Sequence, residues 1–280
     1  MIIARTRKDL NKTLQRFSQK PGKLALIPTM GNLHDGHLSL IRLAKLNAVK
    51  TIATIFVNPL QFGKNEDYSK YPRTEKIDIK KLTKEKCDIL FIPIDKNEIF
   101  PENENLKKIE SGKLGDELCG KIRPGHFNGV LTVVNKIFEM IKPDIAIFGA
   151  KDYQQQILIK QMAENLHPSL SLLKAPIIRS KNGVALSSRN NYLSEKEIKL
   201  ASNLFKCLEN SVRSYKKNIP VYEIIENAKK FLISKNLDPD YFELRDSKLN
   251  SIKDNNFNGK KIFLSSVKIN NTRLIDNIEF

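Results

Sequence analysis

Apolar positions recur along the 280-residue chain in two rhythms, and their alternation sets the expected architecture. In residues 1–20, Leu10, Leu14 and Phe17 fall at helical spacing on an otherwise charged segment, which Pro21-Gly22 ends. KLALIPT (23–29) is a short apolar run of buried-strand type. After Gly31, LHDGHLSLIRLAKLNA reads as a helix. A second strand is expected over VKTIATIFVNP (49–59), then a polar loop over QFGKNEDYSKYPRT (61–74), a helix through Ile77, Ile79 and Leu82, and a third strand over CDILFIP (87–93). Residues 95–129 lose all rhythm and carry Pro101, Gly112, Gly115, Gly120, Pro124, Gly125 and Gly129, a long irregular stretch of the kind that usually serves function. Helix VLTVVNKIFEMI (130–141), strand DIAIFGA (144–150), helix KDYQQQILIKQMAENL and strand SLLKAPII follow. Strands alternating with helices predict an α/β fold, a Rossmann-like doubly wound parallel sheet.

The rhythm changes near residue 177. The loop SKNGVALSSRNNYLS leads into an amphipathic helix from about Glu195, a second helix around VYEIIENAKKFLIS, and strand-like runs YFELRD and KIFLSS. A smaller α+β domain over 177–280, behind a first domain over 1–176, is therefore expected. No internal repeat or low-complexity tract interrupts this plan.

Composition narrows the classes. At 40% hydrophobic and 28% charged residues, the chain has enough apolar content for a core and is not of disordered type. No apolar run approaches the roughly 18 residues that read as a membrane span. MIIARTRKDL breaks into charge at Arg5, Arg7 and Lys8, so no signal peptide is expected. Cys87, Cys119 and Cys207 are odd in number and widely spaced, which argues against a disulfide framework or zinc cluster and for a reducing, cytoplasmic setting. The balance of 48 Lys+Arg against 31 Asp+Glu gives +17, but the lysines are scattered with no dense block and no basic-aromatic stripe, so neither nucleic acid nor membrane is an expected partner. A positive field still gathers anionic substrates.

Chemistry concentrates at predicted strand ends. In PTMGNLHDGHLSLI (28–41), His34 and His37 are three apart, close to one helical turn, so at a helix start both imidazoles face one side. That end also offers unpaired amides and a positive dipole, an anion site. Gly31 and Gly36 leave room for a ligand against the backbone. In IFGAKDYQQQ (147–156), Gly149 permits close approach, Lys151 offers a point charge for phosphate, Asp152 suits ribose hydroxyls or magnesium, and Gln154 and Gln155 both donate and accept. In GVALSSRNNYLS (183–194), two hydroxyls precede Arg189, whose guanidinium grips phosphate bidentately, although SSR alone is a common surface sequence. In FVNPLQFGKNEDYSKYP, Asn58 and Gln61 are candidates to read a small hydroxylated or carboxylate ligand, whereas Glu66, Asp67 and Tyr71 have no assigned role. His126 lies in the glycine-rich loop near these segments, and His167, before Pro168, reads as a turn residue.

Collinear with these segments, PTMGNLHDGH, TIFVNPLQFGKNEDYSKYPRT, KIRPGHFNGVLTVVNKIFEMIKPDIAIFGAKDYQQ, GVALSSRN and NTRLIDNI resemble the pantoate–β-alanine ligase family, within the wider HxGH nucleotidyltransferase superfamily. The resemblance implies a two-step, AMP-forming ligation. The carboxylate of pantoate attacks the α-phosphorus of ATP to give pantoyl adenylate and pyrophosphate, and the amine of β-alanine then displaces AMP. It implies ATP against Met30, Gly31, Asn32, Leu33, His34, Asp35, Gly36 and His37, with His37 the proton donor. Gly149, Ala150, Lys151 and Asp152 would contact its ribose and phosphates, Ile178 and Leu186 flank adenine, and Ser187, Ser188 and Arg189 close on phosphate. His34, His37, Lys151 and Arg189 form the implied catalytic set, and Gln61 and Gln155 bind pantoate, with Gln61 also near β-alanine. Further implications are Mg2+ carried by ATP rather than by a protein metal site, with Asp152 near it, a homodimer, and a second domain acting as a lid. The sequence departs from the family pattern at Asn32, Asn128, Ala150 and Leu186, where alanine, arginine, glutamate and methionine are common. The rival expectation is another HxGH nucleotidyltransferase acting on a small acid or phosphate.

Overall fold

The structure, a computed structural model, describes residues 1–19, 21–64 and 66–280. Residue 65 of the predicted 61–74 loop and residue 20 of the first segment therefore lie outside the described residues. The chain divides into two compact units, 1–150 with 155–176, and 151–154 with 177–280.

In the first unit the elements run β1 (Ile2–Ala4), α1 (Arg7–Ser18), β2 (Leu24–Thr29), α2 (Asp35–Asn47), β3 (Lys50–Ile55), α3 (Glu75–Lys84), β4 (Ile89–Phe91), the short α4 (Cys119–Ile122), α5 (His126–Ile141), β5 (Ile145–Gly149), α6 (Tyr153–Leu166) and β6 (Ser171–Ala175). The six strands form one parallel sheet in the order β1-β4-β3-β2-β5-β6. Strands buried on both faces carry the near-continuous apolar runs seen in the sequence. Ala25, Ile27, Ala53, Ile145 and Ile147 pack with Leu38, Ile41 and Ala44 of α2 in one cluster. On the opposite face Phe148 meets Phe138 of α5 edge-on, with ring centroids 6.4 Å apart. Helices thus cover both sides, as doubly wound topology requires.

From β2 the chain steps one way to β3 and β4; from β5 it steps the other way to β6. The direction reverses between the adjacent strands β2 and β5, and the crevice at the carboxyl ends of such a pair is where open α/β sheets bind ligands. The segments 30–37 and 149–150 leave the sheet there.

Three expectations need correction. Residues 2–4 are an edge strand, not part of the first helix: three residues are too few to show alternation, and pairing with β4 (Ile2↔Ile89) makes them extended. The second strand stops at Ile55, because Pro59 opens a one-turn 3-10 segment, Pro59–Gln61, instead of ending the strand itself. Helix α5 begins four residues before the apolar run, where Gly125 takes a left-handed conformation (φ 76°).

The second unit contains α7 (Glu195–Lys216), α8 (Val221–Ser234), and the strands β7 (Asp238–Asp246), β8 (Lys261–Ile269) and β9 (Thr272–Glu279), antiparallel in the order β7-β8-β9. Ser194 caps α7: its hydroxyl accepts from the Glu197 N–H at 3.3 Å while the Glu197 carboxylate accepts from the Ser194 N–H at 2.7 Å. Leu204, Leu208 and Val212 recur at helical spacing and pack with Leu232, Phe242, Phe263 and Val267. Strand β9 was not expected, since TRLIDNIE carries polar residues on both alternating sets.

Candidate active site

The turn after β2 is built on backbone that few residues tolerate. Gly31 has φ +83°, and a Cβ there would come within 3.0 Å of Ile55 Cγ2 and 3.3 Å of Asp78 Oδ2. Asn32 follows at φ 48°. Asparagine tolerates the left-handed region better than most side chains, which suits it to this turn. Asp78, fully buried on α3, receives the Asn32 N–H on Oδ2 at 2.9 Å and the Leu33 N–H on Oδ1 at 2.8 Å, with the Thr74 hydroxyl donating at 3.1 Å. Sequence reasoning missed Asp78. Its only signal was an acidic residue among the inward apolar positions Ile79 and Leu82.

This anchored turn delivers His34 to the N-cap of α2. The His34 N–H donates to Nδ1 of His37 at 3.3 Å, and the two rings lie 4.1 Å apart between centroids. An imidazole that accepts at Nδ1 carries its neutral-form proton on Nε2, so His37 presents a donor there. The amides of Asp35 and Gly36, the first two of the helix, have no acceptor within it, whereas the His37 N–H donates to the His34 carbonyl at 2.8 Å. Paired imidazoles and first-turn amides thus make one anion-receptive face.

The turn after β3 holds Gln61 by its amide. Gln61 Nε2 donates to Met30 Sδ at 3.1 Å, and Oε1 accepts from Asn58 Nδ2 at 3.0 Å. Asn58, buried, also donates to the Gly129 carbonyl at 3.1 Å and accepts from the Leu60 N–H at 3.2 Å. Its amide therefore supports Gln61 rather than standing out as a ligand reader. Gly129 is glycine for a steric reason: a Cβ would lie 2.1 Å from the Leu60 carbonyl oxygen and 2.7 Å from Gln61 N. His126 holds the same turn, its Nδ1 2.8 Å from the Gln61 carbonyl. Arg123 Nη1 is 2.8 Å from His126 Nε2; a guanidinium only donates, so Nε2 accepts and Nδ1 carries the proton. Arg123 in turn pairs with Glu66 through Nε and Nη2, each at 2.6 Å. Burial pushes the Glu66 carboxyl up, but the guanidinium outweighs it, and the net shift is downward. His167 ends elsewhere, its Nε2 2.7 Å from Asn135 Oδ1 and its ring edge-on to Phe138.

A Cβ added to Gly149, at the end of β5, would meet nothing within 4 Å. The protein's own packing does not demand glycine there. Gln155 lies on the first unit's part of α6 and is half-buried.

In the second unit, Lys151 sits in the 3-10 turn Ala150–Asp152, with its ammonium 3.5 Å from the Asp152 carboxylate. Asn277 of β9 donates from Nδ2 to the Lys151 carbonyl at 3.0 Å, and the Tyr153 hydroxyl shares its proton between the Ser247 carbonyl at 3.2 Å and Glu279 Oε1 at 3.3 Å. Ile178 and Leu186 are brought together: the Leu186 N–H donates to the Ile178 carbonyl at 2.9 Å, closing a hairpin whose turn holds Gly183. Arg179 braces the hairpin by donating to the Gly183 carbonyl at 3.1 Å and to both oxygens of Asp276. Burial pushes the Asp276 carboxyl up, opposed by Arg179 and by the charge of Lys151. Ser187 caps the turn Ser188–Tyr192, its hydroxyl accepting from the Arg189 N–H at 3.3 Å, and Ser188 is buried.

The sequence profile of the pantoate-beta-alanine ligase family matches residues 2–279. The chain belongs to that family. Its ligase relatives include the pantothenate synthetase of Ruthia magnifica subsp. Calyptogena magnifica, 44% identical over 97% of this chain and 96% of that one. The crystal structure of pantothenate synthetase from Thermus thermophilus superposes with a TM-score of 0.92 at 33% identity, covering 99% of each chain. A pantoate–β-alanine ligase from Francisella tularensis, described as complexed with beta-gamma ATP and β-alanine, superposes at 0.83 and 33% identity over 99% of this chain and 97% of that one. Family membership covers both units, including the β9 segment that pattern alone did not identify as a strand.

Proposed function

We propose that the chain condenses pantoate with β-alanine at the expense of ATP, through a pantoyl adenylate, releasing pyrophosphate and AMP. The observation that carries this reading is the paired-imidazole turn at the reversal point of the sheet, beside a glutamine whose amide is held by Asn58 and Met30, in a chain of this ligase family. A carboxylate is a poor electrophile with a poor leaving group, and adenylation supplies a good one. The protein's share is alignment of the carboxylate with phosphorus and donors where charge builds.

In this reading Met30 to His37 receive ATP. His34 and His37 donate to its phosphate oxygens, and the Nε2 proton of His37 faces the developing charge. Lys151 adds a fixed positive charge, Arg189 with Ser187 and Ser188 grips phosphate, Ile178 and Leu186 flank adenine, and Gly149, Ala150 and Asp152 take the ribose side. The open space at Gly149 supports a ligand lying there. Gln61 and Gln155 bind pantoate, Gln61 also meeting β-alanine. Among the described residues no group of three or more His, Cys, Asp or Glu is placed to hold a metal. A single half-exposed carboxylate such as Asp152 fits Mg2+ that arrives on the nucleotide's oxygens and supplies charge neutralisation there. The same reading takes 1–176 as the ATP- and pantoate-binding domain and 177–280 as the domain supplying the closing loop, in a cytoplasmic homodimer. No helix among the described residues is long and apolar enough to cross a membrane.

ATP–pyrophosphate exchange tests it. Exchange should require pantoate, and AMP should accumulate only when β-alanine is added. Exchange that ignores pantoate and follows another small acid or a phosphate would establish the rival nucleotidyltransferase instead.

A further inference from the structure

We propose that Asn277, on the carboxyl-terminal strand β9, is a positioning residue for Lys151, with Asp276 beside it fixing the 178–186 hairpin. The inference rests on the proposed function, in which Lys151 and the hairpin both serve ATP.

Lys151 lies in the three-residue 3-10 turn that opens α6, where hydrogen-bond geometry is poorer than in the α-helix it leads into. The bond from Asn277 Nδ2 to the Lys151 carbonyl, 3.0 Å long, spans 126 positions of sequence and ties the backbone that carries the ammonium to a strand of the antiparallel sheet. Two residues on, Glu279 Oε1 lies 3.3 Å from the Tyr153 hydroxyl, whose one proton is shared between it and the Ser247 carbonyl at 3.2 Å, so Asn277 makes the firmer of the two contacts from β9 to the 151–154 segment. The preceding residue, Asp276, is buried and receives Arg179 on both carboxylate oxygens, while the Asn277 carbonyl takes a further bond from Arg179 at 3.1 Å. The Asn277 N–H donates to Asp276 Oδ1 at 2.8 Å and locks the two residues into one unit. Consecutive strand residues project to opposite faces, so one dipeptide reaches two segments that are remote from each other in sequence. The buried carboxylate also feels the charge of Lys151. A lysine that must meet a phosphate needs its backbone fixed to a fraction of an ångström, and β9 supplies that fixation.

Because Asp276 carries a buried ion pair, removing it would threaten the fold; Asn277 is the residue to change. In Asn277→Ala, pantoate-dependent ATP–pyrophosphate exchange should fall about tenfold, since misplacement near 1 Å costs up to about a hundredfold. Aminolysis of isolated pantoyl adenylate by β-alanine, which no longer needs the triphosphate contact, should stay within about twofold. In a Lys151→Ala background the same change should cost nothing further, because the residue acts through the lysine. Equal losses in both half-reactions, or additive losses in the double variant, would overturn the proposal. Asn277→Leu keeps a similar side-chain shape, loses the donated N–H without adding charge beside the buried Asp276, and is read the same way should the alanine variant not fold. A wild-type enzyme without pantoate-dependent exchange would overturn the functional reading itself; an active wild type with additive variants overturns only the positioning role.

Discussion

The turn after β2 and the turn after β3 leave adjacent strands of one sheet, yet different forces fix them. At 30–34 the backbone runs through Gly31 and Asn32 at positive φ, and one buried carboxylate, Asp78, satisfies two consecutive N–H groups. At 58–61 the direct contacts are mostly steric and neutral: the Asn58 amide, the Met30 sulfur, the His126 imidazole, and a helix face left bare by Gly129, with only a long 3.4 Å bond from Arg123 to the Gln61 carbonyl carrying charge. The formal charges, Arg123 and Glu66, stand mainly behind His126. The first turn should therefore fail when charge is removed and the second when volume is added. That division also suits the ligands proposed for them, a polyanion for the first and a small hydroxy acid for the second.

The functional core of the first turn gives the largest effect. His37→Ala removes a half-buried ring that packs on His34 and accepts its N–H, so the fold should lose no more than about 1 kcal/mol, the usual cost of a lost cap. Exchange should drop at least about a hundredfold, the usual cost of losing one donor at developing charge. Near-normal exchange in a folded variant would separate the imidazole pair from the chemistry.

Adding volume tests the second turn. Gly129→Ala forces a methyl group to within 2.1 Å of the Leu60 carbonyl oxygen, and backbone must move. A loss of about 3 kcal/mol in denaturant unfolding is expected, the upper end for overpacking, together with a raised KM for pantoate. Gly149→Ala is the control: its methyl meets open space, so stability should hold while the KM for ATP rises. Equal stability of the two variants would break the steric half of the comparison.

Removing charge tests the first turn. Asp78→Asn keeps shape but turns one acceptor into a donor facing an N–H group. About 2 kcal/mol of stability should go, in the range for hydrogen bonds to a buried charged group. Exchange should fall with it while the KM for β-alanine stays close to wild type. If pantoate binding suffers more than ATP binding, the two turns are not anchored independently.

Much of this was legible in the sequence because it is local. HxGH at a strand end, the apolar double-faced runs and the start of the long helix near Glu195 are encoded within a few residues of where they act. The supports were not legible. Asp78 bonds to residues 45 and 46 positions away, Gly129 matters only because Leu60 lies against it, and Asn277 reaches Lys151 across 126 positions. Strand β9 stayed hidden because its informative residues, Asp276 and Asn277, are polar yet buried, a burial that is favourable only once Arg179 and Lys151 are in place. Edge strand β1, three residues long, had no room to display a period.

The smallest effect belongs to the outermost charges of the second turn. Glu66 accepts from Arg123 on both oxygens, and the pair leaves the carboxyl below its ordinary value of 4.5 despite partial burial. A carboxylate whose folded pKa is depressed stabilises the fold above the unfolded value, and that contribution fades as pH falls through the folded value. Glu66→Gln should therefore cost about 1 kcal/mol at neutral pH, a modest figure for a partly exposed pair. The gap between variant and wild type should close as the solution is acidified below about 4.5, which unfolding curves at several pH values would follow. Because Arg123 meets Gln61 chiefly through His126, the KM for pantoate should change by no more than about threefold. A gap that persists unchanged at low pH would mean that Glu66 supports the turn by shape rather than charge, and that the second turn is anchored without electrostatic help at all.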